Sequence, residues 1–224
     1  IILTQEGQKH RVMNVLISFF IVFFSKGVAS ATILFTDVTS QSGIEFRHTN
    51  GAGGSKFVIE TVGPGVGFFD YDSDGFLDIY LVNGAATPGT EYETDPENAL
   101  YRNLHDGSFI DVTKVSKTGD KGYGMGVAAG DFDNDGNIDV YLGNFGANVL
   151  YRNLGDGSFE NVSITAGVAD QRWATSCAFS DVDRDGFVDL YVANYHDFSY
   201  TNHRVCSEGG SGLQLYCGPE AFDG

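Results

Sequence analysis

The stretch AAGDFDNDGNIDVYLGN (residues 128–144) sets four aspartates, Asp131, Asp133, Asp135 and Asp139, inside nine residues with no lysine or arginine among them. At about 4 Å, two like charges repel by roughly 1 kcal/mol in water, and by more where water is scarce. Such a loop calls for a counter-ion. The chain writes nearly the same loop twice more. GVGFFDYDSDGFLDIYLVNG covers 65–84 and SCAFSDVDRDGFVDLYVANY covers 176–195, against GVAAGDFDNDGNIDVYLGNFG at 126–146. The leading aspartates, Asp70, Asp131 and Asp181, lie 61 and 50 residues apart. A second motif follows the first two loops, ALYRNLHDGSFIDVT (99–113) and VLYRNLGDGSFENVS (149–163). The polar insertion TPGTEYETDPE (87–97) explains most of the longer first interval.

Self-similarity at a period near 50 residues signals a propeller, a solenoid or an array. Within each unit the period is that of strands, with Leu77, Ile79 and Leu81 alternating with Asp78, Tyr80 and Val82. Asp-Gly at 106–107 and 156–157 marks a hairpin. Each unit therefore predicts four strands: one into the acidic loop, one out of it, and a hairpin pair. Four-stranded antiparallel units repeated about an axis make a β-propeller. FTDVTSQSGI (35–44) also matches FENVSITAGV (159–168), as expected of an outer strand that closes the ring. The division expected is a connecting segment with that lone strand at 32–64, blades at 65–118 and 119–168, and a partial blade at 169–224. Two blades, a partial third and an orphan strand do not close a ring, so the sequence reads as a fragment of a longer propeller.

In each loop the i, i+2, i+4 spacing directs carboxylates to one centre: Asp70, Asp72 and Asp74; Asp131, Asp133 and Asp135; Asp181, Asp183 and Asp185. The carbonyl of Phe76, Asn137 or Phe187 adds an oxygen, and Asp78, Asp139 or Asp189 closes the cage. Six to eight hard oxygens in a flexible loop suit Ca²⁺, whereas Mg²⁺ keeps its waters and Zn²⁺ prefers Cys or His. An EF-hand shares the opening of the motif but needs Glu at position 12 and helical flanks. Position 12 is Leu81, Leu142 or Val192, and the flanks are strand-like.

The pattern D-x-D-x-D-G-x-x-D at the first hairpin of each unit resembles the FG-GAP (VCBS-type) repeat of integrin α-subunit propellers. The segments FTDVTSQSGIEFRH, ETVGPGVGFFDYDSDGFLDIYLVNG, LYRNLGDGSF and YCGPEAF make 32–224 similar to the secreted cartilage acidic protein family and its bacterial relatives. The resemblance implies an all-β, integrin-α-like fold, about three blades of a seven-bladed propeller, with Ca²⁺ in the loops. It also implies, in many members, a following ASPIC/UnbV domain. The Gly-Ala-Pro of the repeat name is degraded here to Gly84-Ala85-Ala86 and Gly146-Ala147-Asn148.

A net charge of −17 excludes a nucleic-acid binder, whose footprint is basic, and disfavours docking on an anionic membrane. Lys9-His10-Arg11, the apolar run VMNVLISFFIVFF (12–24) and the small residues Ala29-Ser30-Ala31 read as a signal peptide over 1–31. The run is short of the roughly 20 residues that span a bilayer. The mature part is expected outside the cell, or in the periplasm or on the surface of a bacterium. There Cys206 and Cys217 could close a disulfide, while Cys177 lies in an apolar run. His196, His203 and Cys206 could hold a softer metal, although loop histidines are more often ordinary polar residues. His48 reads as a loop residue, and Arg102 and Arg152 as packing and hydrogen-bonding groups within their blades. Asn161-Val162-Ser163 is a glycosylation sequon in a eukaryotic source. The expected function is a non-catalytic binding or adhesion scaffold with an extracellular protein or glycan ligand. The alternatives are a polysaccharide-acting enzyme whose catalytic part lies outside this sequence, or a purely structural segment of a surface protein.

Overall fold

The computed structural model describes residues 3–5, 34–208 and 212–222. The leader expected at 1–31 lies almost wholly outside them. Among the described residues no helix is long and apolar enough to cross a membrane. The chain divides into two compact units, 1–43 and 44–224.

In the first unit, β1 (Leu3–Gln5) pairs antiparallel with β2 (Phe35–Asp37). After β2 the Thr39 N–H bonds to Asp37 Oδ1 at 3.0 Å. The same turn follows the outer strands of the second unit, where Thr113 N–H meets Asp111 Oδ1 at 2.9 Å and Ser163 N–H meets Asn161 Oδ1 at 3.1 Å. Residues 35–39 thus have the local geometry of an outer strand and its exit turn.

The second unit carries the blades. β3 (Val66–Phe69), β4 (Asp78–Leu81), β5 (Ala99–Asn103) and β6 (Phe109–Asp111) form a four-stranded antiparallel sheet in that order. β7 (Tyr123–Gly130), β8 (Asp139–Phe145), β9 (Val149–Asn153) and β10 (Phe159–Asn161) repeat it. β11 (Ala174–Ser180) and β12 (Asp189–Asn194) form a third hairpin, joined by the expected acidic loop. The fold is all-β, with a partial propeller of two complete blades and the first hairpin of another.

The leading strands crowd together. A Cβ on Gly65 would lie 3.1 Å from the Met125 carbonyl oxygen, and one on Gly126 3.2 Å from the Ser176 Cα. Glycine at these places lets β7 pass close to its neighbours on both sides. The core between the first two blades consists of Phe69, Tyr71, Tyr80, Val82, Leu100, Val140, Leu142, Val149, Tyr151 and Phe159. Alternation of buried and exposed residues, expected along residues 77–82, is absent from β4: Asp78, Ile79 and Tyr80 are all buried. In the first blade both faces of β4 are covered along Asp78–Tyr80, so that stretch has no solvent side.

At the end of the blades opposite the acidic loops, the insertion after β12 folds back. Cys206 and Cys217 are joined by a disulfide, with Cα atoms 5.2 Å apart, and flank the small ladder of β13 (Cys206–Ser207) with β14 (Gln214–Leu215). This flap packs Phe198, Cys217 and Phe222 against Phe57, Val58, Ile59, Tyr123, Met125 and Trp173. The Tyr216 hydroxyl donates to Glu60 Oε2 at 2.8 Å, and Lys56 sits over the Tyr216 ring.

Candidate metal centres

Each acidic loop is first a set of backbone constraints. Ser73, Asn134 and Arg184 take left-handed φ values of 58°, 57° and 65°, and two residues later Gly75, Gly136 and Gly186 take 88°, 90° and 93°. A side chain at the first of these positions costs roughly 1–2 kcal/mol, and glycine relieves that cost at the second. The leading aspartate holds the turn with both oxygens. Asp70 accepts from the N–H groups of Asp74 at 3.0 Å and Gly75 at 2.8 Å, and Asp131 and Asp181 repeat both bonds. The last aspartate closes it. Asp78, Asp139 and Asp189 accept through Oδ2 from the N–H of Tyr71, Phe132 and Val182, each at 2.9 Å.

Three carboxylates converge in every loop. Asp70, Asp72 and Asp78 each offer an oxygen within 4.8 Å of the others, as do Asp131, Asp133 and Asp139, and Asp181, Asp183 and Asp189. The third aspartate of each loop, Asp74, Asp135 or Asp185, is not among these groups. Asp74, Asp135 and Asp185 use Oδ1 to accept the N–H of Phe76, Asn137 and Phe187 at 2.9, 2.9 and 2.8 Å. The Asp74 carboxylate is also 2.7 Å from His105 Nε2, and His105 stacks on Phe76 at 3.8 Å between ring centroids.

Two features mark the first two sites as electrostatically unfinished. Asp72 Oδ1 and Asp133 Oδ1 are buried with no hydrogen-bond partner, a costly state for a charged oxygen. Asp78 and Asp139 are fully buried, and burial pushes each pKa up to about 6 despite N–H donors from Asn103 and Tyr71, or Asn153 and Phe132. A divalent ion at the convergence would reverse both penalties, and the donor set is entirely hard oxygen. The residues present fit a metal ion.

The structure adds residues that sequence reading did not connect to the loops. Asn103 and Asn153, from the recurrent Tyr-Arg-Asn, donate backbone N–H groups to Asp78 Oδ1 and Asp139 Oδ1, both at 2.8 Å. The Asn153 side chain also donates to the Ile138 carbonyl at 3.1 Å and, across the blade boundary, to the Tyr71 carbonyl at 2.7 Å. Arg152 forms an ion pair with Asp133, Nε to Oδ2 at 2.6 Å, and reaches Asp135 Oδ2 at 3.5 Å. Recurrence of the tripeptide after each complete loop was the available signal.

The softer-metal trio is not assembled. Cys206 is in the disulfide, His196 stacks on Phe222, and the His203 Nε2 is 3.0 Å from the Ser55 carbonyl oxygen. His48 lies in the exposed run before Thr49, whose N–H is held by Asn83. Among the described residues, the three aspartate loops are the groups of acidic, His or Cys side chains that could hold a metal ion.

No curated protein matches the chain. A family profile described as the FG-GAP-like repeat matches residues 70–142 and 131–192. Each match runs from one acidic loop into the strand beyond the next, so the family unit has the period of the blades. Because the two matches together span more than half of the 224 residues, the chain belongs to the FG-GAP-like repeat family.

Proposed function

We propose that the chain is part of a secreted, calcium-stapled propeller acting as a binding or adhesion scaffold for an extracellular protein or glycan. The observation that carries the ion is the pair of buried, unpartnered oxygens, Asp72 Oδ1 and Asp133 Oδ1, beside buried carboxylates that resist ionisation. All-oxygen ligation in a flexible loop favours Ca²⁺ over Zn²⁺, and extracellular modules hold Ca²⁺ at about 10⁻⁴ to 10⁻³ M. The ion supplies positive charge at the turn and so links the two strands that enter and leave it. The disulfide and the acidic composition support an oxidising, extracytoplasmic setting.

The role expected of the ion is structural. A ligand that binds only the folded state stabilises it by about 1.4 kcal/mol per site at ten times its Kd. Scanning calorimetry should show a melting temperature several degrees higher in millimolar calcium than in chelator. Identical melts in the two buffers would remove the structural ion from the account. A binding screen against matrix proteins and glycans then tests the scaffold reading, which fails if none is retained in calcium.

A further inference from the structure

The second acidic loop differs from the others in being ion-paired directly with an arginine. Arg152 reaches it from β9, the neighbour of the strand that leaves the loop, and contacts two aspartates, at Asp133 Oδ2 and Asp135 Oδ2. The other Asp133 oxygen, Oδ1, is buried without a partner. Asp135 is occupied on both sides, since its Oδ1 accepts from the backbone and the side-chain amide of Asn137, each at 2.9 Å. Arg102 occupies the equivalent place in the first blade but makes no ion pair among the described residues. There the third aspartate, Asp74, is met by His105 instead. The third loop has no ion pair to Asp181, Asp183, Asp185 or Asp189 among the described residues.

We propose that Arg152 is a built-in counter-ion of the second loop. By pairing with Oδ2 of Asp133 and of Asp135 it offsets part of their charge and leaves Asp133 Oδ1 free for the ion. The loop is then folded and partly neutralised before a divalent ion arrives. The inference rests on the proposed ion and concerns how this chain prepares a place for it. A guanidinium can serve two carboxylates at once, whereas an ammonium acts as a point charge.

The test compares melting temperatures of the full chain and of Arg152→Gln, Arg152→Lys and Arg102→Gln, each in chelator and in millimolar calcium. Arg152→Gln should lower the midpoint by about 2–3 °C in chelator and by less than about 1 °C in calcium, where the ion supplies the missing charge. Arg152→Lys should fall between, and Arg102→Gln, whose charge acts on Asp72 and Asp74 without an ion pair, should lower the chelator midpoint less than Arg152→Gln does. A purely structural surface pair would lower both midpoints equally; that result, or no change in either, overturns the proposal while the calcium effect on the parent chain persists. If calcium does not stabilise the parent chain at all, the ion reading fails and this proposal falls with it.

Discussion

The second and third acidic loops have the same backbone and different surroundings. Asn134 and Arg184 take the same left-handed turn, Asp131 and Asp181 hold the same N–H groups, and Asp139 and Asp189 reach back to the same position. Yet Asp139 is fully buried and Asp189 is exposed. The second loop lies beside β9, which brings the Asn153 N–H to the free oxygen of Asp139 and Arg152 to Asp133. Among the described residues, β12 pairs only with β11. Turn geometry is therefore local to nine residues, whereas burial and charge balance are imposed by the third strand of the blade.

The most damaging way to erase that difference is Asn153→Ala, which strips the second loop of its link to the first. Asn153 is fully buried, and its side chain serves the Tyr71 and Ile138 carbonyls and the Gly155 N–H. Losing these bonds should cost about 2–4 kcal/mol, read as a lower urea midpoint. Asn103→Ala, which frees only the exposed Leu77 carbonyl and the His105 N–H, should cost less than half as much. Equal losses would mean that the cross-blade bond to Tyr71 contributes nothing.

A finer probe reads how firmly the third hairpin sits on the second blade. Cys177 on β11 faces Gly126 and Gly143, and burial pushes its thiol up to about 11. At pH 8 this reduces the thiolate, the reactive form, by about 100-fold relative to a free cysteine. Alkylation of the native chain should be slower by that order, and should accelerate when chelation loosens the hairpin. A rate equal to that of the urea-unfolded chain would place the hairpin away from the blade.

The smallest effect concerns two aspartates at one repeat position. Burial raises Asp120, which accepts from the Asn144 side chain, whereas hydrogen bonds from Arg172 hold Asp170 down at about 2. A lowered folded-state pKa gives stability that is present above the unfolded value near 3.8 and is lost as pH falls toward about 2. A raised one works in the opposite sense, because the folded state then binds the proton more tightly. Carboxyl NMR titration should find Asp170 below and Asp120 above the ordinary value, and Asp170→Asn should flatten the loss of stability between pH 4 and 2. A common midpoint for the two would contradict the environments described.

Much of this was written in the sequence. The repeat period, the Asp-Gly hairpins and the strand-flanked acidic loops predict four-stranded antiparallel units, and the structure has two such sheets. Convergence of the first, second and last aspartates follows from their spacing; the outward use of Asp74, Asp135 and Asp185 does not, since it depends on which N–H groups the turn leaves free. Asn103 and Asn153 were hidden by distance, lying 25 and 14 residues beyond the aspartates they hold, with the 87–97 insertion spoiling the match between them. Alternation along β4 misled because both of its faces are covered. The aromatic flap had no periodic signal, being assembled from single residues between Phe57 and Phe222.

The bond from Tyr216 to Glu60 ties positions 156 residues apart. Loop closure over such a span carries an entropic cost that is recovered only after the intervening blades exist. The flap is accordingly the final piece to settle. A chain that had completed both sheets would still have Phe57, Ile59 and Tyr123 open to water, so this end of the partial propeller is the one left uncovered until the flap closes over it.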